Sequence, residues 1–162
     1  MQSNGSGVIL SETLTIRNGK SDDLAMIVQI EKKSFDDPFT LDLFVTLLES
    51  FPEGFRVSLI LDRVVGYCIT YPMRRQRVMV IASIAVLPGF RNRGLGKSLL
   101  EDSISLSKKY HSAGIVDKLM LQVAEDNTVA RSLYSKFGFE NRSLIRNYYG
   151  RRKHGIEMEL NF

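Results

Sequence analysis

The chain has 162 residues, 44% of them hydrophobic and 25% charged, which supports one packed core and excludes disordered, collagen-like and low-complexity classes. A balance of 22 basic against 18 acidic residues leaves a net charge of +4, a mild excess that does not by itself indicate nucleic-acid binding. A single cysteine, Cys68, excludes an internal disulfide and a four-cysteine zinc site, and no apolar run reaches the length of a membrane span.

The opening MQSNGSGVILSETL lacks the basic start and apolar centre of a signal peptide, so a soluble, cytoplasmic protein is expected. Residues 1–12 read as a flexible tail ahead of one domain over 13–162. TLTIR (13–17) alternates as a strand does. SDDLAMIVQIEKKSF (21–35) has helical periodicity, with Ser21 as the expected N-cap and Asp22 and Asp23 near the positive end of the helix dipole. DDPF breaks that pattern, and Thr40 can cap a second helix, LDLFVTLLES (41–50). Three β-branched runs follow: FRVSLIL (55–61), VVGYCITY (64–71) and VMVIASIAVL (78–87). Asp62-Arg63 reads as the first connection and MRRQR (73–77) as the second, which predicts an antiparallel meander.

The topology then changes. Leu95, Leu99, Leu100, Ile104 and Leu106 mark a helix through Tyr110, KLMLQVA (118–124) is a strand, NTVARSLYSKF (127–137) a helix and GIEMEL (155–160) a closing strand. A strand, helix and strand in succession over 78–124 make a crossover whose two strands run parallel. The expected class is α+β: a mixed, mostly antiparallel sheet of six or seven strands with helices on both faces.

GFRNRGLGKSLLEDSI (89–104) places two arginines and several glycines at the mouth of a helix. Free N–H groups of a first helical turn, together with the helix dipole, form an anion site, and glycine lets a ligand approach the backbone. The spacing is neither G-x-x-x-x-G-K-[ST] nor G-x-G-x-x-G, so it does not specify a nucleotide loop. An ordinary strand-to-helix turn with solvated arginines has the same local composition.

This R-x-x-G-x-G segment after IASIAVLPGF resembles the acetyl-coenzyme A loop of the GNAT N-acetyltransferase superfamily, and LMLQVAEDNTVARSLYSKFGF resembles that superfamily's second signature. The two stand in the expected order, and the resemblance covers roughly residues 13–160. It implies a splayed parallel strand pair whose gap holds the pantetheine arm of acetyl-CoA against the backbone of Ile84, Ala85 and Val86. It also implies a diphosphate on the segment Arg91, Asn92, Arg93, Gly94, Leu95, Gly96, extending to Lys97 and Ser98. Asn127 matches a cofactor-contacting position and is equally a helix N-cap. Tyr134 matches the family tyrosine that protonates the departing thiolate, and the Val86 amide is the family's usual oxyanion donor.

A narrower likeness, to archaeal and ribosomal-protein-alanine N-terminal acetyltransferases, rests on SFDDPFTLDLF and RNYYG. It implies substrate contacts for Tyr148 and Tyr149, and a first-residue pocket lined by Phe35 and Phe39. Strand KLMLQVA carries Gln122 where such enzymes often have glutamate or histidine, and glutamine accepts no proton at neutral pH. Asp36, in the FDD loop where some archaeal relatives carry an acidic residue, is by that resemblance the leading substitute base, ahead of Glu125, with Gln122 orienting water or the amine. An α-amine, with a pKa of about 7.8, needs far less deprotonation than a lysine at about 10.4, which suits a weak base.

The expected activity is acetyl transfer from acetyl-CoA to protein or peptide N-termini by direct attack in a ternary complex. The alternatives are acetylation of a small amine or a lysine side chain, and a non-catalytic acyl-CoA-binding module. A ribosome or an auxiliary subunit is a candidate partner, with the protein itself a monomer or weak homodimer and neither membrane nor specific nucleic acid expected. Cys68 reads as a small buried residue, and His111 and His154 are too isolated for a metal site, so no metal is expected.

Overall fold

The β-branched runs of the sequence form the middle of a sheet covered on both faces, which is why they read as continuous apolar stretches and not as alternating ones. A computed structural model describes residues 13–162, so the predicted tail lies outside the described residues. The order is β1 (Leu14–Asn18), α1 (Leu24–Ser34), α2 (Leu41–Ser50), β2 (Phe55–Ile60), β3 (Arg63–Met73), β4 (Val78–Val86), α3 (Leu95–Ser112), β5 (Lys118–Ala124), α4 (Thr128–Lys136), β6 (Glu140–Ile145) and β7 (Gly155–Asn161). The sheet is ordered β1-β2-β3-β4-β5-β7-β6. Among the described residues only β4 and β5 run parallel.

Two cores hold the layers together. On the α3 face, Leu99 and Leu100 pack with Met79, Ile81, Leu119, Leu121 and Met158. On the α1 and α2 face, Ile27, Ile30 and Phe44 pack with Phe55, Val57 and Tyr67. Phe44 meets the rings of Phe55 and Tyr67 edge to face, with centroids 6.5 and 5.8 Å away.

The parting of β4 from β5 positions everything that follows. Parallel pairing runs only from Val78–Lys118 to Ile81–Leu121. Beyond it, β4 stays on β3 as far as Val86, while β5 stays on β7 as far as Ala124. The strands diverge at a bulge: Ser83 pairs with Ile69 and Ile81 with Thr70, leaving Ala82 unopposed.

Local details correct the sequence reading. Ser21 caps nothing; residues 21–23 form a 3₁₀ turn whose leading amide, Lys20 N–H, donates to Asp23 at 2.9 Å. Asp23 takes that place because Arg17 on β1 holds both its oxygens, at 2.7 and 2.9 Å. The first hairpin turns on Leu61 and Asp62, both left-handed (φ 49° and 61°), so Arg63 already belongs to β3. The second connection is confined to Arg74–Arg77, because Met73 pairs with Val78. Thr40 does cap α2, accepting from Leu43 N–H at 3.3 Å. On α3, Ser103 and Ser107 are buried where Leu106 is only half-buried. Ser103 is satisfied there by Thr70 at 2.7 Å and Cys68 at 3.0 Å. The seventh strand, β6, is exposed along nearly its whole length and carries no apolar pattern to announce it.

Candidate active site

The loop between β4 and α3 presents backbone to its surroundings. Asn92 and Gly94 take left-handed φ values of 62° and 79°, which turn the chain into α3, and Leu95 drives its side chain into the core at 2% exposure. Among the described residues, the N–H groups of Asn92, Gly94, Leu95, Gly96 and Lys97 have no backbone acceptor. Ser98 is different. Its amide and its hydroxyl both bond to the Gly94 carbonyl at 3.0 Å, so the run of free donors stops at Lys97. Arg91 turns away from the loop, donating to Val86 O at 2.9 Å and to Ser34 Oγ at 3.2 Å, and Arg93 stacks over Phe90 at 5.1 Å. The anion-facing surface is therefore mostly amide. Gly96 has an ordinary helical φ, and a Cβ there would meet only Val86 Cγ2 at 4.0 Å. Nothing in the fold asks for glycine at 96, which fits a bulky anion lying against it.

Ile84, Ala85 and Val86 lie within 82–86, the stretch of β4 that has no β5 partner, so its outward backbone groups face the gap. Tyr134 on α4 stands in the α3-side core, 7% exposed, its ring 5.8 Å from Phe139. Burial, reinforced by Cys68 and Tyr149, raises its pKa well above the ordinary phenol value, so the hydroxyl keeps its proton. Asn127 caps α4, accepting from Ala130 N–H at 3.2 Å.

On the opposite face, Gln122 is the first β5 residue beyond the last parallel pair, and its Oε1 accepts from Tyr148 Oη at 3.3 Å. Tyr148 packs edge to face on Tyr149, centroids 4.8 Å apart. Gly155 lets the Tyr148 ring lie on β7, since a Cβ there would come within 3.1 Å of Tyr148 Cβ. Burial pushes the Tyr149 hydroxyl up to about 12. His154 Nδ1 accepts from Asn147 N–H at 2.9 Å and closes the hairpin.

Asp36 does not have the surroundings of a base. Its side chain is 87% exposed and pairs with Lys153 at 2.8 Å, and the ammonium holds its carboxyl below the usual carboxylate range. The pair ties the α1–α2 loop to the β6–β7 hairpin. Phe35 stands exposed on that loop, whereas Phe39 is half-buried against Phe44 at 5.9 Å. Glu125 is exposed, at the end of β5.

Two residues here escape sequence reading. Glu31, in what looks like a solvated EKK stretch, is 2% exposed. It accepts from Phe39 N–H at 2.9 Å, from Ser83 Oγ at 3.1 Å and from the Tyr67 hydroxyl, so it anchors the loop bearing Phe39 to β3 and β4. Glu157 on β7 pairs across the strands with Gln122, a neighbour only the register reveals. Among the described residues no set of three metal-ligating side chains converges, and no helix is long and apolar enough to cross a membrane. His111 Nδ1 lies 2.9 Å from the Val116 carbonyl.

The sequence profile of the Acetyltransferase (GNAT) family matches residues 24–139. The chain belongs to the GNAT acetyltransferase family. Its relatives include the N-alpha-acetyltransferase of Sulfolobus acidocaldarius, 31% identical over 144 residues that cover 83% of this chain and 84% of the relative. Another is the putative ribosomal protein bS18-alanine N-acetyltransferase of Bacillus subtilis, 30% identical and covering 83% and 85%. Among solved structures, Ard1 from Thermoplasma volcanium superposes with a TM-score of 0.83 at 27% identity, covering 91% of this chain and 97% of that one. The GNAT profile spans the amide-lined loop and Tyr134, whereas the Tyr148–Tyr149 hairpin and Glu157 lie beyond it.

Proposed function

We propose that this GNAT enzyme, with residues 13–162 as one catalytic domain, transfers an acetyl group from acetyl-CoA to the N-terminal α-amine of a protein or peptide. The observation that carries the reading is the parting of β4 from β5 beside a loop of unpaired amides, with the Tyr148–Gln122 contact where β5 leaves β4. The carrier supplies a thioester, whose acyl carbon is open to direct attack by a neutral amine.

The residues present fit such a carrier. The amides of Asn92, Gly94, Leu95, Gly96 and Lys97 suit a diphosphate, and the edge of β4 at Ile84, Ala85 and Val86 suits an extended amide-bearing arm. Val86 N–H is the candidate donor to the oxyanion, and the protonated Tyr134 hydroxyl is the candidate acid for the departing sulfur. Arg91 orients the end of β4 through the Val86 carbonyl. Tyr148 and Tyr149 hold the acceptor backbone, Phe35 and Phe39 meet its first side chain, and Gln122 orients the amine. The names of the archaeal and bacterial relatives support an α-amine acceptor, and so does the lower pKa of α-amines.

The test is turnover with acetyl-CoA on peptides varying in their first two residues, mapping the acetyl group by mass spectrometry. Acetate on the N-terminal nitrogen is expected. Modification confined to lysine Nζ, to small amines alone, or binding of the carrier without turnover of any amine, would replace this reading.

A further inference from the structure

β7 carries two glutamates on the face opposite Ile156 and Met158, and they differ in what surrounds them. Glu159 is fully engaged: Lys118 Nζ reaches one oxygen at 2.5 Å and Arg142 Nε the other at 2.9 Å. Glu157 is half-buried, yet among the described residues it makes no hydrogen bond and no ion pair. A carboxylate partly withdrawn from water without a partner is a cost that structure alone does not repay.

Its place explains it. Glu157 stands directly across from Gln122 on β5 and from Ser143 on β6. Opposed side chains in an antiparallel pair project from the same face with their Cβ atoms about 5 Å apart. Gln122 is the residue at which β5 leaves β4, and it receives the Tyr148 hydroxyl. A carboxylate therefore stands one strand over from the glutamine that lines the mouth of the gap, on the same side as the tyrosine hairpin. Asp36, by contrast, is paired with Lys153 in open solvent.

We propose that Glu157 is the proton acceptor of this acetyltransferase, supplying from β7 the carboxylate that Gln122 lacks on β5. The inference rests on the acetyl-transfer reading above. The Glu157 carboxylate takes the extra proton of the bound ammonium, and the neutral amine then bonds to the acyl carbon as the C–S bond breaks. The departing thiolate takes the Tyr134 proton, the proton shed by the new amide nitrogen returns through water to Tyr134, and Glu157 releases its own to solvent, so the cycle balances. On its own strand Glu157 neighbours Glu159, which takes both Lys118 of β5 and Arg142 of β6 and stands across from Glu140, and Tyr148 reaches Gln122 from the hairpin. Among the described residues no cation is paired with Glu157.

Single-turnover rates on a peptide acceptor, measured across pH for wild type, Glu157→Gln and the double variant Glu157→Gln/Gln122→Glu, test the assignment, with CoA binding by calorimetry as the check on the fold. Glu157→Gln should lose about a hundredfold at about pH 7 and recover toward wild type above the amine pKa of about 7.8, where the acceptor is already neutral. CoA affinity should stay within about twofold, and the double variant should regain at least about tenfold by placing a carboxylate on β5. A Glu157→Gln rate within about threefold of wild type, a deficit constant with pH, or no relief in the double variant overturns the proposal. A wild type that acetylates no N-terminus overturns the acetyl-transfer reading itself, and Glu157 with it.

Discussion

Tyr134 and Cys68 lie in one buried region, and both keep their protons for the same reason: the charged form of either would lose its hydration. For Tyr134 that supports service as an acid. Tyr134→Phe should lower the single-turnover rate by about a hundredfold while leaving CoA affinity nearly unchanged, and the wild-type rate should show no decline from tyrosine ionisation below about pH 10. For Cys68, with its thiol pushed up to about 11, the folded protein should resist alkylation by iodoacetamide that modifies it readily in urea. Asp23 behaves in the opposite sense. Arg17 holds its carboxyl below the ordinary value, so its stabilisation is present above an unfolded pKa of about 3.9 and is lost as pH falls through the lower folded one. Asp23→Ala should cost about 1 kcal/mol in urea unfolding at neutral pH, and the gap from wild type should close in acid. These roles were unevenly legible. Tyr134 and Gln122 stand out as candidates in their motifs, whereas Asp36 was legible as an acid but not as one tied to Lys153, a partner 117 positions away in the chain.

At the scale of elements, strand β4, its loop and helix α3 act together. The bulge at Ala82 lets β4 keep its bonds to β3 while leaving β5, and Gly94 turns the chain so that the first amides of α3 stay unpaired. Gly96 separates fold from function. Gly96→Ala should leave stability unchanged or raise it by about 0.5 kcal/mol through helix propensity. The same change should weaken CoA binding by roughly tenfold, read by calorimetry beside a thermal melt. If affinity were unaffected, the carrier would not lie against this turn. Nearly all the elements were readable because their apolar periods are strong. The exceptions have physical causes: β6 is a solvated edge strand bound only to β7, and the first hairpin turns on a leucine in a conformation that sequence rules reserve for glycine and asparagine.

Across the whole molecule, α3 and α4 cover one face of the sheet and α1 and α2 part of the other, leaving the β5–β7 end of that second face to the tyrosine hairpin. The proposed carrier and acceptor thus approach from opposite sides and meet where the sheet opens. A ligand that bridges β4 and α3 should stabilise the fold: CoA at a hundredfold over its Kd adds about 2.7 kcal/mol, or about 5–10 °C in Tm for a chain of this size. An unchanged melt would count against the cleft as a carrier site.

Local chemistry in the sequence determined the helices, the meander, the crossover and the glycine loop, because hydrophobic period, capping and turn preferences act between residues a few positions apart. Tertiary structure decided which strand edges part, that Glu31 is buried, that Asp36 faces Lys153, and that Glu157 stands beside Gln122. Those outcomes depend on register between segments distant in the chain, and a one-residue slip in any of them would turn the same side chains to the other face.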